Sequence, residues 1–184
     1  MADIGLREPA PAPAAAIEPV RVLVPSPLGP LGVEIHGQAI SRILISPPAR
    51  ERKRFTQLAK MKRSEFLDEV CGRLSEYFAG ARRNLELEYD LGPSGLDAFA
   101  RRVLRETTKI PYGKTRTYQV IAEAAGRPEA YRQVLSILMA NPIPIVVPCH
   151  RVVTNKSGIG SFIAGPRKKR WLLRLEEQSA PGLS

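Results

Sequence analysis

The chain has 184 residues, 43% of them hydrophobic and 25% charged, which suits one or two ordinary globular domains. A formal net charge of +10 either suits a polyanionic partner, nucleic acid being the commonest, or only keeps the surface soluble. Two cysteines, Cys71 and Cys149, exclude a disulfide framework and fit a reducing compartment, and no apolar run is long enough to span a membrane, so a cytoplasmic protein is expected.

Residues 1–19 are rich in Ala and Pro and are interrupted by Asp3, Arg7 and Glu8. They lack the apolar stretch of a signal peptide and are expected to form a disordered tail. From Val20 to about Leu91 the pattern predicts strand, strand, strand, helix, strand. Val20–Val24 alternates in part, and Pro25–Pro30 supplies a turn. Leu31–Ile35 and Ile40–Ile45 flank His36-Gly37-Gln38, a hairpin connection. Phe66, Val70, Leu74, Tyr77 and Phe78 recur at helical spacing before the stop signal Gly80. Cys71 beside that stripe is expected to be a buried small hydrophobe. Leu85, Leu87 and Tyr89 alternate as one more strand. Residues 20–92 thus read as a small α+β domain without visible chemistry.

The composition breaks at Gly92-Pro93-Ser94-Gly95, where a domain boundary is placed, and residues 93–178 read as a mainly helical second domain. Phe99, Val103 and Leu104 share one helix face ahead of Ile110-Pro111-Tyr112-Gly113. A helix over Thr117–Ala125, the turn Gly126-Arg127-Pro128 and a helix from about Pro128 to Ala140 make a helix-turn-helix candidate. Two packed helices joined by a short turn also occur in many proteins that bind no DNA. A last helix begins near Pro166, and residues 179–184 form a C-terminal tail.

The chemistry concentrates in Asn141-Pro142-Ile143-Pro144-Ile145-Val146-Val147-Pro148-Cys149-His150-Arg151-Val152-Val153. The apolar run Ile143–Val147 predicts a buried segment that fixes Cys149 where it emerges, and Pro148 biases Val147 toward extended geometry. A thiol of ordinary pKa is only a few per cent thiolate at neutral pH, so a nucleophilic Cys149 needs a base. His150 is adjacent, but neighbouring side chains on an extended segment point to opposite faces, which favours a bridging water over direct contact. A carboxylate to fix the imidazole would come from Glu176 or Glu177 on the last helix. A buried structural Cys-His pair accounts for the same residues equally well. Two Cys and two His, widely scattered, offer no zinc spacing, and no metal or cofactor is expected.

Pro148-Cys149-His150-Arg151-Val152 resembles the active-site signature of the O6-alkylguanine-DNA alkyltransferase (methylated-DNA–protein-cysteine methyltransferase) family. The resemblance extends from about Val20 to Gln178 through Ser26-Pro27-Leu28-Gly29-Pro30, Tyr77-Phe78-Ala79-Gly80, Ile110-Pro111-Tyr112-Gly113, Thr117-Tyr118, Ala125-Gly126, Arg132, and Gly160 through Trp171-Leu172-Leu173 and Glu176. It implies an α/β (α+β) protein with a ribonuclease-H-like N-terminal domain and a winged-helix-like C-terminal domain. It implies direct reversal of DNA damage: minor-groove binding, flipping of the nucleotide, and a single transfer of the alkyl group from O6-alkylguanine to Cys149. By the same resemblance His150 is the base acting through water, Glu176 orients it, and Asn141 braces the turn. Arg132 replaces the flipped nucleotide in the stack, and Tyr118 helps rotate it. Arg151 joins these two at the DNA. Val152 and the loop Ser161, Phe162, Ile163 and Gly165 form the guanine pocket. The partner is double-stranded DNA and the protein is expected to be a monomer.

The chain departs from the family at Phe162, where a tyrosine is usual, at Ile163 and Ala164, and on the recognition helix at Tyr131, Gln133 and Leu135. These last three are either core and surface positions of a slightly rotated helix or a bulkier groove-facing surface. Arg167-Lys168-Lys169-Arg170 is either solvated charge or a phosphate contact. A non-repairing lesion-binding protein of the same architecture is the alternative function, which the retained Cys149 and His150 disfavour.

Overall fold

A computed structural model describes residues 18–60, 62–92, 95–154 and 158–179. Most of the expected N-terminal tail, nearly all of the C-terminal tail and the centre of the expected domain boundary lie outside these residues. Strands β1 (Val20–Val24), β2 (Leu31–His36) and β3 (Ala39–Ile45) form an antiparallel meander, with Val22 opposite Val33 and Val33 opposite Ile43. The β2–β3 hairpin turns on Gly37 and Gln38, as the sequence predicts, and Ser41 is an extra residue that bulges β3 between Arg42 and Ile40. The fourth strand departs from expectation. It is β4 (Thr56–Gln57), which follows a short helix α1 (Ala49–Arg52), precedes the long helix, and pairs parallel to β1 in the order β3-β2-β1-β4.

The long helix α2 (Glu65–Phe78) is capped by Ser64, whose side chain accepts from the Leu67 amide at 3.2 Å. Leu67, Val70, Leu74 and Tyr77 form its buried stripe, each burial contributing about 1.5–3 kcal/mol. Cys71 is half-buried at the edge of that stripe rather than fully enclosed. Residues 85–89 do not make the expected strand. Glu86 takes a φ of +50° and breaks the extended run, which leaves one bridge between Ile40 and Tyr89. Leu85 and Leu87 still bury their side chains, and Arg73 Nη1 donates to the Leu85 carbonyl at 2.9 Å.

Beyond the boundary, α3 (Ala98–Thr108) starts at Asp97, which accepts from the Ala100 amide at 2.7 Å. Strand β5 (Arg116–Thr117) leads directly into α4 (Tyr118–Ala124), capped by the Thr117 hydroxyl. The turn after α4 needs Gly126, at φ +81°, where a Cβ would be strained. A single 3₁₀ turn over Pro128–Ala130 then opens into α5 (Tyr131–Met139), so the α-helix begins three residues later than the sequence reading placed it. Strand β6 (Val152–Val153) pairs parallel to β5 and ties the chain after Cys149 to the start of α4. Helix α6 (Pro166–Gln178) closes the chain, and its Trp171 ring lies 6.0 Å from that of Phe78 on α2. Buried hydrophobic residues of β1–β3, β6 and α2–α6 form one continuous core. The whole is a mixed α/β fold with a small sheet and several helices, as expected.

Candidate active site

Cys149 sits at the end of a segment shaped by side chain as much as by backbone. Asn141 Nδ2 donates to the Val147 carbonyl at 3.0 Å, and its Oδ1 accepts from the Ile143 amide at 3.1 Å. The loop so clamped contains Ile145 at φ +80°, a backbone state that costs a β-branched residue on the order of 1–3 kcal/mol. Two buried hydrogen bonds from one asparagine offset much of that strain. The sequence predicts an extended chain through Pro148; the structure instead tightens it. Pro148, at φ −79° and ψ 60°, centres an inverse γ-turn in which the Cys149 amide donates to the Val147 carbonyl at 2.8 Å. Cys149–Arg151 then form one 3₁₀ turn. At three residues per turn their side chains fan out about 120° apart rather than alternating, so three adjacent residues serve three directions.

Cys149 is 3% exposed. Burial pushes its thiol up to about 11, while the Asn141 hydrogen bond and the Lys169 charge pull it down. The group is therefore a neutral thiol at neutral pH, and nucleophilic attack requires a base. His150 is buried and held neutral, because burial outweighs the pull of the Glu176 carboxylate. Its Nε2 lies 2.8 Å from Glu176 Oε1, and its buried Nδ1 makes no hydrogen bond to a described protein group. The Phe162 ring stands edge-on to the imidazole at 6.3 Å. Of the two carboxylates offered by sequence, the structure selects Glu176 and leaves Glu177 exposed.

Glu176 is the hub. It accepts from Tyr77 Oη at 2.7 Å, from Arg151 Nε and Nη2 each at 2.9 Å, and from the Gly113 amide at 3.1 Å. Burial alone raises its pKa, but the hydrogen bonds and charges of His150 and Arg151 together depress it well below the usual carboxylate range. Arg151 therefore does not reach the DNA surface the sequence reading gave it. It is 6% exposed, donates to Glu176 and to the Ile110 carbonyl at 2.7 Å, and stands over the Tyr112 ring. Two parallel hydrogen bonds to the buried carboxylate satisfy the guanidinium where solvent does not reach it.

The pocket side is organised by a residue the sequence reading placed in a basic run. Lys169 is fully buried, its ammonium donates to the Ser161 carbonyl at 3.0 Å and to the Val152 carbonyl, and burial lowers it to about 8. Its spacing was the available signal, since Lys169, Leu172 and Glu176 recur on one face of α6. Tyr118 is buried, with its hydroxyl 3.4 Å from the Ser161 carbonyl and close enough to Cys149 that a thiolate there would hold the phenol protonated. A Cβ at Gly160, whose φ is +68°, would stand 2.7 Å from that hydroxyl, so only glycine fits against the ring. Ser161 and Ile163 are exposed, Phe162 is buried, and Gly165 caps α6.

On the outer side, Tyr118, Gln119, Tyr131, Arg132, Leu135 and Thr154 line an open groove of about 400 Å³. Arg132 is exposed and stands 5.6 Å from the Tyr131 ring centre. Tyr131 is 43% exposed, Gln133 is exposed, and Leu135 is half-buried against the core. The helix is thus not rotated enough to hide Tyr131, while Leu135 serves the core and the groove together. Among the described residues no cluster of His, Cys, Asp and Glu could hold a metal.

Residues 98–178 match the family model for the DNA-binding domain of 6-O-methylguanine DNA methyltransferase. The chain is 33% identical over 158 residues to the methylated-DNA–protein-cysteine methyltransferase of Methanosarcina barkeri, covering 85% of this chain and 96% of the relative. The Mycobacterium tuberculosis protein of the same name is 36% identical over 158 residues, 86% of this chain and 92% of the relative. Its solved structure in complex with DNA superposes with a TM-score of 0.75 at 33% identity, over 88% of this chain and 95% of that one. A buried thiol beside a histidine–carboxylate relay, on this fold and with these relatives, leads to one assignment: the chain belongs to the methylated-DNA–protein-cysteine methyltransferase family, DNA-binding enzymes that repair DNA by alkyl transfer.

Proposed function

We propose that the protein acts on O6-alkylguanine in duplex DNA, approaching through the minor groove, and that one molecule performs one transfer. The observation that carries this reading is the pairing of a neutral Cys149 thiol with a neutral His150 whose Nε2 is committed to Glu176. With Nε2 carrying the proton that Glu176 accepts, Nδ1 holds a lone pair, and through a bridging water it takes the thiol proton. Sγ then attacks the alkyl carbon as the carbon–O6 bond breaks, and the bond pair leaves with the guanine. The proton lost by the thiol is matched by one gained on the purine ring, so the guanine departs neutral. Lys169 stabilises the developing thiolate from the pocket side. The product is a thioether without a good leaving group, which ends the molecule's activity.

The reading also requires the nucleotide to leave the duplex, because Cys149 is buried. Flipping costs a few kcal/mol, less for a base that pairs badly. Arg132, exposed beside the groove that Tyr118 also lines, fills the gap in the stack. The Val152 and Ser161 carbonyls, both held by Lys169, face the guanine edge together with Phe162, Ile163 and Gly165. Residues 20–92 serve as a ribonuclease-H-like structural domain. Residues 93–178 serve as a winged-helix-like domain that binds DNA and accepts the alkyl group, and the protein works as a monomer.

The test is incubation with a duplex containing O6-methylguanine, followed by intact mass measurement and peptide mapping. One added methyl per protein, on the peptide containing Cys149, is expected. Methyl found on Cys71, or repair of many lesions per molecule, would refute the mechanism.

A further inference from the structure

Tyr77 lies outside the stretch that matches the DNA-binding domain, on α2 of the N-terminal half, yet it enters the active-site relay. It is 1% exposed, 99 residues from Glu176 in sequence, and its hydroxyl donates to Glu176 Oε1 at 2.7 Å. The same oxygen is 3.4 Å from His150 Nε2. Edge-on contacts with Phe78 at 5.4 Å and Tyr112 at 6.0 Å hold the ring in place.

We propose that Tyr77 is a positioning residue for alkyl transfer, which fixes the His150 tautomer and keeps the imidazole neutral by sharing the Glu176 carboxylate. A phenol has one proton, and here Glu176 takes it, so the phenol oxygen can only accept from the neighbouring Nε2. An Nε2 without a proton would face two lone pairs, from Glu176 and from Tyr77. Nε2–H is therefore the tautomer both groups demand, and Nδ1 is left as the base. The second effect is electrostatic. A carboxylate that already accepts from Tyr77, Arg151 and Gly113 attracts a proton to His150 less strongly than an unshared one. The charged or titratable groups that face His150 are Glu176 and Lys169 from α6, Cys149 and Arg151 from its own turn, and Tyr77 from α2. Tyr112 touches the same network through Tyr77 and Arg151. Of these, Tyr77 alone can be relieved of its proton donor without altering a formal charge or the shape of the core.

This inference rests on the alkyl-transfer reading, and the test separates the two. Rates of methyl uptake from a duplex and of reaction with free O6-benzylguanine are measured against pH for the wild type and Tyr77→Phe. In Y77F the acidic limb of both profiles is expected to move up by about one pH unit, with rates below that limb about tenfold lower. A second variant carries a ring-fluorinated tyrosine at position 77, isosteric and a stronger donor, and its limb is expected to move the opposite way. ¹⁵N imidazole spectra of the wild type are expected to show Nε2–H on His150 throughout the neutral range. Unshifted profiles in either folded variant, or an Nδ1–H tautomer, would overturn the role of Tyr77. A wild type that takes up no alkyl group would instead overturn the proposed function.

Discussion

Replacing Glu176 with Gln keeps the volume of the side chain and removes its charge, so no cavity accompanies the change. Arg151, only 6% exposed, is left with a buried positive charge whose ionic partner is gone. Removing one member of a buried ion pair costs about 3–5 kcal/mol, since the remaining charge stays desolvated. For a chain of this length that is a fall in melting temperature of about 6–20 °C. Urea unfolding followed by circular dichroism at neutral pH measures it. The double variant Arg151→Met/Glu176→Gln removes both charges and is expected to recover most of the loss, to within about 2 kcal/mol of the wild type. It is not expected to recover alkyl transfer, because His150 still lacks its carboxylate. The pH dependence supplies a further check on the same group. The folded state depresses Glu176, so its contribution is complete above the ordinary glutamate value of about 4.3 and is lost as pH falls below it. E176Q should flatten that acid limb of the stability curve. A single variant within about 1 kcal/mol of the wild type, or a double variant no more stable than the single, would refute the charge-compensation account.

Asn141→Ala leaves the buried Ile143 amide without a partner and the Val147 carbonyl with the Cys149 amide alone, which should cost about 1–3 kcal/mol by urea unfolding; a loss below about 0.5 kcal/mol would mean the strained turn at Ile145 holds without the clamp. Arg132→Ala should slow repair of duplex DNA far more than reaction with free O6-benzylguanine, and equal slowing of both reactions would remove its part in flipping. Tyr131→Ala should change unfolding stability by less than about 1 kcal/mol, because the ring is largely exposed, whereas Leu135→Ala should cost about 1–3 kcal/mol; the reverse order would place the tyrosine in the core. Lys169 is lowered from 10.5 to about 8 in the fold. The unfolded chain therefore binds its proton more tightly between those values, and stability should rise with pH there by up to about 3 kcal/mol relative to Lys169→Met. Parallel urea curves for K169M and the wild type across that window would contradict it.

The residues that the sequence determined are those whose role follows from neighbours along the chain. Cys149 and His150 are adjacent, Pro148 fixes the approach to them, and Asn141 acts within six residues of itself through Val147. Helix faces were readable for the same reason, since 3.6-residue periodicity is local, and it carried α2 and α3. The hairpin at Gly37 and Gln38 followed from local turn chemistry. What the tertiary structure decided involves partners brought together from far along the chain. An arginine in an active-site signature of a basic protein reads as a DNA contact until Glu176, 25 residues away, closes on it. A lysine inside Arg167–Arg170 reads as solvated charge until the carbonyls of Val152 and Ser161 converge on its ammonium. Tyr77 reads as one more apolar position of an amphipathic helix, because only the packing of α2 against α6 shows where its hydroxyl ends. Even the local conformation at Cys149 was settled from outside. Pro148 permits both an extended chain and a γ-turn, and the interior selects the turn because it satisfies a buried amide and lets His150 and Arg151 both reach Glu176 while Cys149 stays near Tyr118 and Lys169.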